Sequence, residues 1–158
     1  MFKYIRMENE GLKEFILRAT PEAEIVQGTQ YLLVTVPSDK LHGLASTLKS
    51  DSSTSFDYLF CLTGVDWPQH MEVVYHLKST QHGHSFVLKG KISTRENPEI
   101  DTVCDLWPTA EFHEREVFDL YGINFKNHPD MRRIFLEDDW VGFPMRKDYD
   151  DPINIIEY

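Results

Sequence analysis

Glu111-Phe112-His113-Glu114-Arg115-Glu116-Val117-Phe118-Asp119-Leu120-Tyr121-Gly122 is the stretch around which this chain is organised. It reads as a helix that ends at a glycine, the residue that best tolerates the left-handed conformation past a helix C-terminus. Pro108-Thr109 precedes it, and Thr109 is a candidate N-cap. At about 100° per residue, Val117, Phe118, Leu120 and Tyr121 share one broad side. Arg115, Glu116 and Asp119 share the other side with Phe112, while Glu114 falls inside the apolar side. A helix that is apolar nearly all round is covered on more than one face. This one is also rich in charge, and buried charges must be paired. Arg115 stands four residues from both Glu111 and Asp119, so the spacing predicts that it bridges them. Two readings stand: a polar network inside a subunit interface, or an exposed amphipathic helix with ordinary surface ion pairs.

Downstream, residues 123–158 show neither helical nor strand periodicity. The segment contains Pro129, Pro144 and Pro152, yet also Phe125, Ile134, Phe135, Leu136, Trp140, Phe143, Tyr149, Ile153, Ile155, Ile156 and Tyr158. Structureless stretches longer than about 15 residues are uncommon in compact domains, and disordered tails are poor in aromatics. The expectation is a compact domain over 1–122 and an extended segment over 123–158 that lies on partner chains. The alternative is a segment folded back on its own domain.

Upstream, Leu12, Phe15, Ile16 and Ala19 repeat at helical spacing and predict a helix over 9–19. Residues 23–26 and 31–36 read as strands about a turn at Gly28, and Ser38 as the cap of a second helix carrying Leu41, Leu44, Ala45 and Leu48. Residues 56–63 are apolar enough for a central strand, followed by a turn at Gly64-Val65-Asp66-Trp67-Pro68. Residues 71–78 and 84–92 alternate as a hairpin pair, with His82 and His84 in the solvated turn region. A helical stretch is expected near 99–107. The order predicts an α+β fold: two layers, helices on one side of a mixed, mostly antiparallel sheet.

Composition narrows the function. The 158 residues are 41% hydrophobic and 13% aromatic, which describes a globular chain. A net charge of -10 argues against nucleic acid or an anionic membrane surface as the main partner. No apolar run is long enough to span a bilayer, and the N-terminus lacks a signal-peptide pattern. The two cysteines, Cys61 and Cys104, are too few for an iron–sulfur cluster or a structural zinc site and are expected to be reduced. His113-Glu114 is not a zincin motif, because Val117 stands where the second His would be. The carboxylates Glu111, Glu114, Glu116 and Asp119 spread over both sides of the helix, so a metal-dependent hydrolase is a remote alternative. His128-Pro129-Asp130-Met131-Arg132-Arg133 could bind an anion or a partner's carboxylates, with surface ion pairing as the alternative. No nucleotide-binding glycine motif or serine-nucleophile elbow occurs.

Glu114-Arg115-Glu116-Val117-Phe118-Asp119-Leu120-Tyr121-Gly122-Ile123, followed by His128-Pro129-Asp130 and Arg132-Arg133-Ile134, resembles the signature of the NuoC family, the C subunits of NADH-quinone oxidoreductase (respiratory complex I). Gly64-Val65-Asp66-Trp67-Pro68 resembles that family's upstream element, and Phe143-Pro144-Met145-Arg146-Lys147-Asp148-Tyr149 its closing element. The resemblance implies a non-redox structural subunit of the peripheral arm, on the cytoplasmic side of the membrane. The whole complex couples NADH oxidation by quinone to proton transport. The D subunit of complex I is the main partner implied, with the B and I subunits nearby. FMN and iron–sulfur clusters are implied in partner subunits and none in this chain. On the same resemblance, Glu114, Arg115, Glu116, Asp119, His128, Arg132, Arg133, Arg146, Lys147 and Asp148 are expected at partner interfaces, with no catalytic, cofactor or metal residue. From the spacing, losing Arg115 leaves Glu111 and Asp119 unpaired at a desolvated contact, so Arg115→Ala is expected to weaken assembly more than the isolated fold. An equivalent scaffold subunit of a membrane-bound hydrogenase, or of a ferredoxin- or F420-dependent relative, is the alternative. The chain ends soon after the Arg-Lys-Asp element, so a separate C subunit is expected, not a C–D fusion.

Overall fold

The structure is a computed structural model that describes residues 9–151. Its elements run α1 (Asn9–Ala19), β1 (Glu24–Gln27), β2 (Leu32–Pro37), α2 (Ser38–Ser50), β3 (Tyr58–Asp66), β4 (Met71–Lys78), β5 (Ser85–Ile92), β6 (Glu99–Asp101), α3 (Ala110–Tyr121) and β7 (Asn124–Lys126). The first five strands form one sheet in the order β1-β2-β5-β4-β3. Only the β2–β5 pair in it is parallel, and α2 with the β3–β4 hairpin supplies the crossover. The fold is the expected α+β type, with helices on one side of a mixed sheet.

Alternation decides which face the helices cover. Val34, Leu88, Tyr75 and Leu62 lie in one cross-strand row, and all are buried. The next row on that face is Gly90, Val73 and Gly64. The two glycines in it mark where helices come closest. A Cβ on Gly90 would lie 2.9 Å from Leu41 of α2, and one on Gly64 would lie 2.9 Å from Tyr121 of α3. Both helices therefore pack on the same face, seated where the sheet has no side chain to hold them off. On the opposite face, Val26, Leu33, Val87, His76 and Cys61 make one cross-strand row. Its aromatic neighbours Tyr31 and Phe60 both meet the His76 ring edge-on.

Several local expectations change. The strand 56–63 is not central: β3 is the sheet's edge, and its apolar residues are needed because α3 covers it. A bulge between Leu59 and Cys61 keeps both Leu59 and Leu62 inside and turns Phe60 outward. The strand also runs through Gly64-Val65 to Asp66, and the turn is made later, where Trp67 N–H donates to the His70 carbonyl at 3.0 Å. Residues 99–107 are not a helix. Glu99–Asp101 pairs in parallel with Asn124–Lys126, and only one turn follows, with Leu106 and Trp107 both donating to the Val103 carbonyl. Pro108 cannot donate to continue it. Neither Ser38 nor Thr109 caps with its side chain; the Thr109 hydroxyl turns instead toward the Leu59 carbonyl. His84 is not solvated. It is buried against Phe56 and its Nε2 meets the Thr54 carbonyl at 3.0 Å.

The close seat of α3 on β3 gives a direct test. Gly64→Ala should cost about 1–3 kcal/mol through overpacking against Tyr121 and Val117, read as a lower urea midpoint with unchanged slope.

Candidate functional site

The helix α3 carries the charges singled out from the sequence, and it is covered on two sides. Ala110, Glu114 and Val117 are buried toward the sheet side, while Arg115 and Asp119 are buried beneath the segment that follows. Gly122 ends the helix at φ +72, and a Cβ there would meet the Phe143 ring at 2.5 Å, so the returning chain crosses directly over it.

Glu114 is fully buried. One carboxylate oxygen accepts the Val103 amide at 2.8 Å; the other accepts the Thr102 hydroxyl and, at 3.3 Å, the Cys104 thiol. Burial pushes its pKa up, and these hydrogen bonds offset that only in part. Burial, followed by the nearby Glu114 carboxylate, pushes the Cys104 thiol up to about 12. The side chains of Cys104, Glu114 and His128 converge to within 4.8 Å, as metal ligands would. The hydrogen bonding of His128 points elsewhere. Its Nδ1 accepts the Asp130 amide at 3.0 Å, which puts the ring proton on Nε2, directed at the Glu111 carbonyl at 3.0 Å. No ring lone pair is left for a metal, so the donor set describes a hydrogen-bonded lock. The α3 carboxylates do not converge either: Glu114 and Asp119 belong to separate networks.

Asp119 forms the second network. Its Oδ1 accepts Arg133 at 2.7 Å, and its Oδ2 accepts three successive amides, Ile134 at 3.1 Å, Phe135 at 2.7 Å and Leu136 at 3.0 Å. Burial raises this carboxyl's pKa, but the Leu136 amide, the Arg133 guanidinium and the other two amides outweigh it and hold the group below its ordinary value. Arg133 also donates to the Asp119, Trp140 and Gly142 carbonyls and lies over the Phe143 ring.

Arg115 does not bridge Glu111 and Asp119. It donates to the backbone carbonyls of Arg132 at 3.2 Å and Arg133 at 2.9 Å. Asp119 is already saturated by groups that sequence spacing cannot reveal. Arg132 pairs with Asp130 at the surface. Glu116 is half-buried and makes no hydrogen bond or ion pair among the described residues.

A third network joins the two outlying elements. Asp66, at the end of β3, accepts both Arg95 nitrogens at 2.9 Å and the Lys147 amide at 2.8 Å. Arg146 donates to the Arg95 carbonyl at 2.6 Å, and Asp148 pairs with both arginines. Sequence reasoning missed Asp66, Arg95, Thr102 and Cys104 as members of these networks. Their partners lie far away in sequence, and no periodicity signals them.

Segment 123–151 thus packs on its own domain. Ile123 and Phe125 are core residues, β7 completes a two-stranded sheet, and Arg133 and Lys147 tie the rest to α3 and β3. Pro152, Ile153, Ile155, Ile156 and Tyr158 lie outside the described residues.

Residues 34–152 match the family described as respiratory-chain NADH dehydrogenase, 30 Kd subunit. The chain belongs to this family. It is similar to the C subunit of NADH-quinone oxidoreductase from Moorella thermoacetica, 40% identical over 134 residues, covering 84% of this chain and 88% of that one. It is also 48% identical over 122 residues to the C/D subunit of NADH-quinone oxidoreductase from Phocaeicola vulgatus, covering 77% of this chain. The matched region spans only 23% of that longer relative. Among solved structures, a trypsin-resistant fragment of Nqo5 superposes with TM-score 0.65 at 31% identity, covering 75% of this chain and 98% of the fragment. A chain of the membrane-bound sulfane sulfur reductase, an archaeal respiratory membrane complex, superposes with TM-score 0.76 at 31% identity, covering 91% and 86%. No described helix is long and apolar enough to cross a membrane. Glu114, Arg115 and Asp119 of α3, which lie in the matched range, act in this chain as internal staples.

Two outcomes check these assignments. Glu114 binds its proton more tightly when folded, so its contribution favours folding most below its ordinary value of 4.5 and declines as pH rises through the raised folded value. Glu114→Gln should flatten that decline in pH-dependent melts, whereas Glu114→Ala should cost about 2–4 kcal/mol by orphaning the Val103 amide and Thr102 hydroxyl. Arg115→Ala should destabilise the isolated chain by about 1–3 kcal/mol, because the carbonyls it strands belong to the same chain. The loss is read by denaturant melts of the purified protein.

Proposed function

We propose that the chain is a non-redox structural subunit of the peripheral arm of a proton-translocating NADH:quinone oxidoreductase, supporting its quinone-reducing module. The observation that carries this reading is the family match across residues 34–152, which includes all three charge networks. Those networks use Asp66, Glu114 and Asp119 to hold the fold's C-terminal half in place. Charges spent on shaping a chain suit a scaffold. The isolated chain has no catalytic activity in this reading, and FMN and iron–sulfur clusters belong to other subunits. The D subunit is the main neighbour, with the B and I subunits close by, on the cytoplasmic side of the membrane. Of the residues expected at partner interfaces, Arg132, Lys147, Asp148 and the half-buried Glu116 have surface to offer. Glu114 and Asp119 act from inside, by shaping what surrounds them.

A second reading is supported by one observation: the TM-score of 0.76 with a chain of a sulfane sulfur reductase complex. The same scaffold could serve a membrane-bound complex of the hydrogenase or ferredoxin-fed kind. Affinity purification of the tagged full chain from membranes in mild detergent separates the two. Co-purification of homologues of the D, B and I subunits with flavin- and NADH-binding subunits is the expected outcome. Recovery with a nickel-site subunit would move the chain to the second reading, and recovery without partners would overturn both.

A further inference from the structure

We propose that residues 134–145 form a pre-organised docking loop for a protein partner whose surface sets basic side chains around an apolar depression. This rests on the subunit reading and names the chemistry of one of its contacts.

The loop is closed by buried charge. At its start, Asp119 holds the amides of Ile134, Phe135 and Leu136. Near its end, one terminal nitrogen of Arg133 gathers the carbonyls of Trp140 and Gly142, each at 3.0 Å, while the other grips Asp119. The Met145 amide then donates to the Leu120 carbonyl at 3.0 Å. Both ends are thus pinned to the C-terminal turns of α3.

What the loop displays does not suit water. Phe135 is 64% exposed, Val141 86% and Met145 54%, which places them among the most exposed large hydrophobic residues described. Between them stand Glu137, Asp138 and Asp139, all exposed, with no side-chain hydrogen bond or ion pair among the described residues. The stretch contains no Lys, Arg or His. The Trp140 indole N–H is buried with no acceptor among the described residues. The fold therefore commits a largely buried ion pair to hold still a loop that leaves apolar side chains bare and one donor unmet. Apolar anchors beside an unopposed charge cluster are the composition of a contact surface. Because the loop is already ordered, docking loses little backbone freedom. Three carboxylates without a counter-charge select a basic face by complementarity and steer its approach. They also disfavour an anionic lipid surface, which leaves a protein partner.

The test uses the tagged full chain expressed in its own host, recovered from membranes in mild detergent at graded salt. Three forms are compared: wild type, Phe135→Ser with Val141→Ser, and Glu137→Gln with Asp138→Asn and Asp139→Asn. The neutral triple variant touches no internal contact, so its melting temperature should match wild type. Both variants should recover at least about 10-fold less partner protein. Recovery by the wild type should fall with salt, and recovery by the neutral variant should depend on salt less steeply. Undiminished recovery by both variants, beside a wild type that assembles, overturns the docking loop and leaves the subunit reading standing. A wild type that recovers no partner removes both. If the serine variant melts early, the neutral triple variant alone decides.

Discussion

One buried carboxylate organises the second half of this molecule. Asp119 sits on α3 with no exposed surface and four donors, one guanidinium and three consecutive backbone amides. A bare carboxylate in that position would be very costly. Four donors that come from a segment with no regular structure make the cost conditional on that segment adopting one path. The irregular chain after β7 is therefore specified, although it has neither helix nor strand to specify it. Arg133 extends the same logic, since its second terminal nitrogen is satisfied only when Trp140 and Gly142 close over it.

The other two networks repeat the pattern at different places. Glu114 fixes the turn that delivers β6 to α3, through Thr102, Val103 and Cys104. Asp66 fixes the end of the chain's return, through Arg95 and the Lys147 amide. In each case a side chain on a regular element reads backbone groups of an irregular one. The stretches that carry the family resemblance, near 64–68, 114–134 and 143–149, thus meet around one helix although they are far apart in sequence. It also separates two roles that sequence merges. The charges inside α3 shape the chain, and the residues they position, such as Phe135 and Val141, are the ones left facing outward.

The sheet shows a related division. Its helix-facing side is filled, and its two glycine positions are occupied by Leu41 and Tyr121 side chains from above. Its other side carries Val26, Leu33, Val87 and His76 in a row, with Tyr58 and Phe60 at the edge. A two-layer fold of this kind buries one face by itself.

Periodicity made much of the fold legible. Helices α1, α2 and α3, the hairpin of β4 with β5, and the α+β class all follow from apolar spacing, because each buries a single continuous stripe or face. The end of α3 at Gly122 follows from the left-handed backbone that only glycine adopts cheaply. That α3 is covered on two sides was also written in its composition. What covers it was not. Local spacing offered Arg115 two carboxylates on its own helix, but Arg132 and Arg133 carbonyls, Ile134–Leu136 amides and the Asp66–Lys147 contact involve partners 15 to 81 positions away. The helical appearance of 99–107 failed for the same reason, since Ile100 is claimed by Phe125 across a strand pair. A sequence displays which groups need partners, because charge and hydrophobicity are properties of single residues. Tertiary structure alone decides which partners they find, because a hydrogen bond depends on where the chain returns in space.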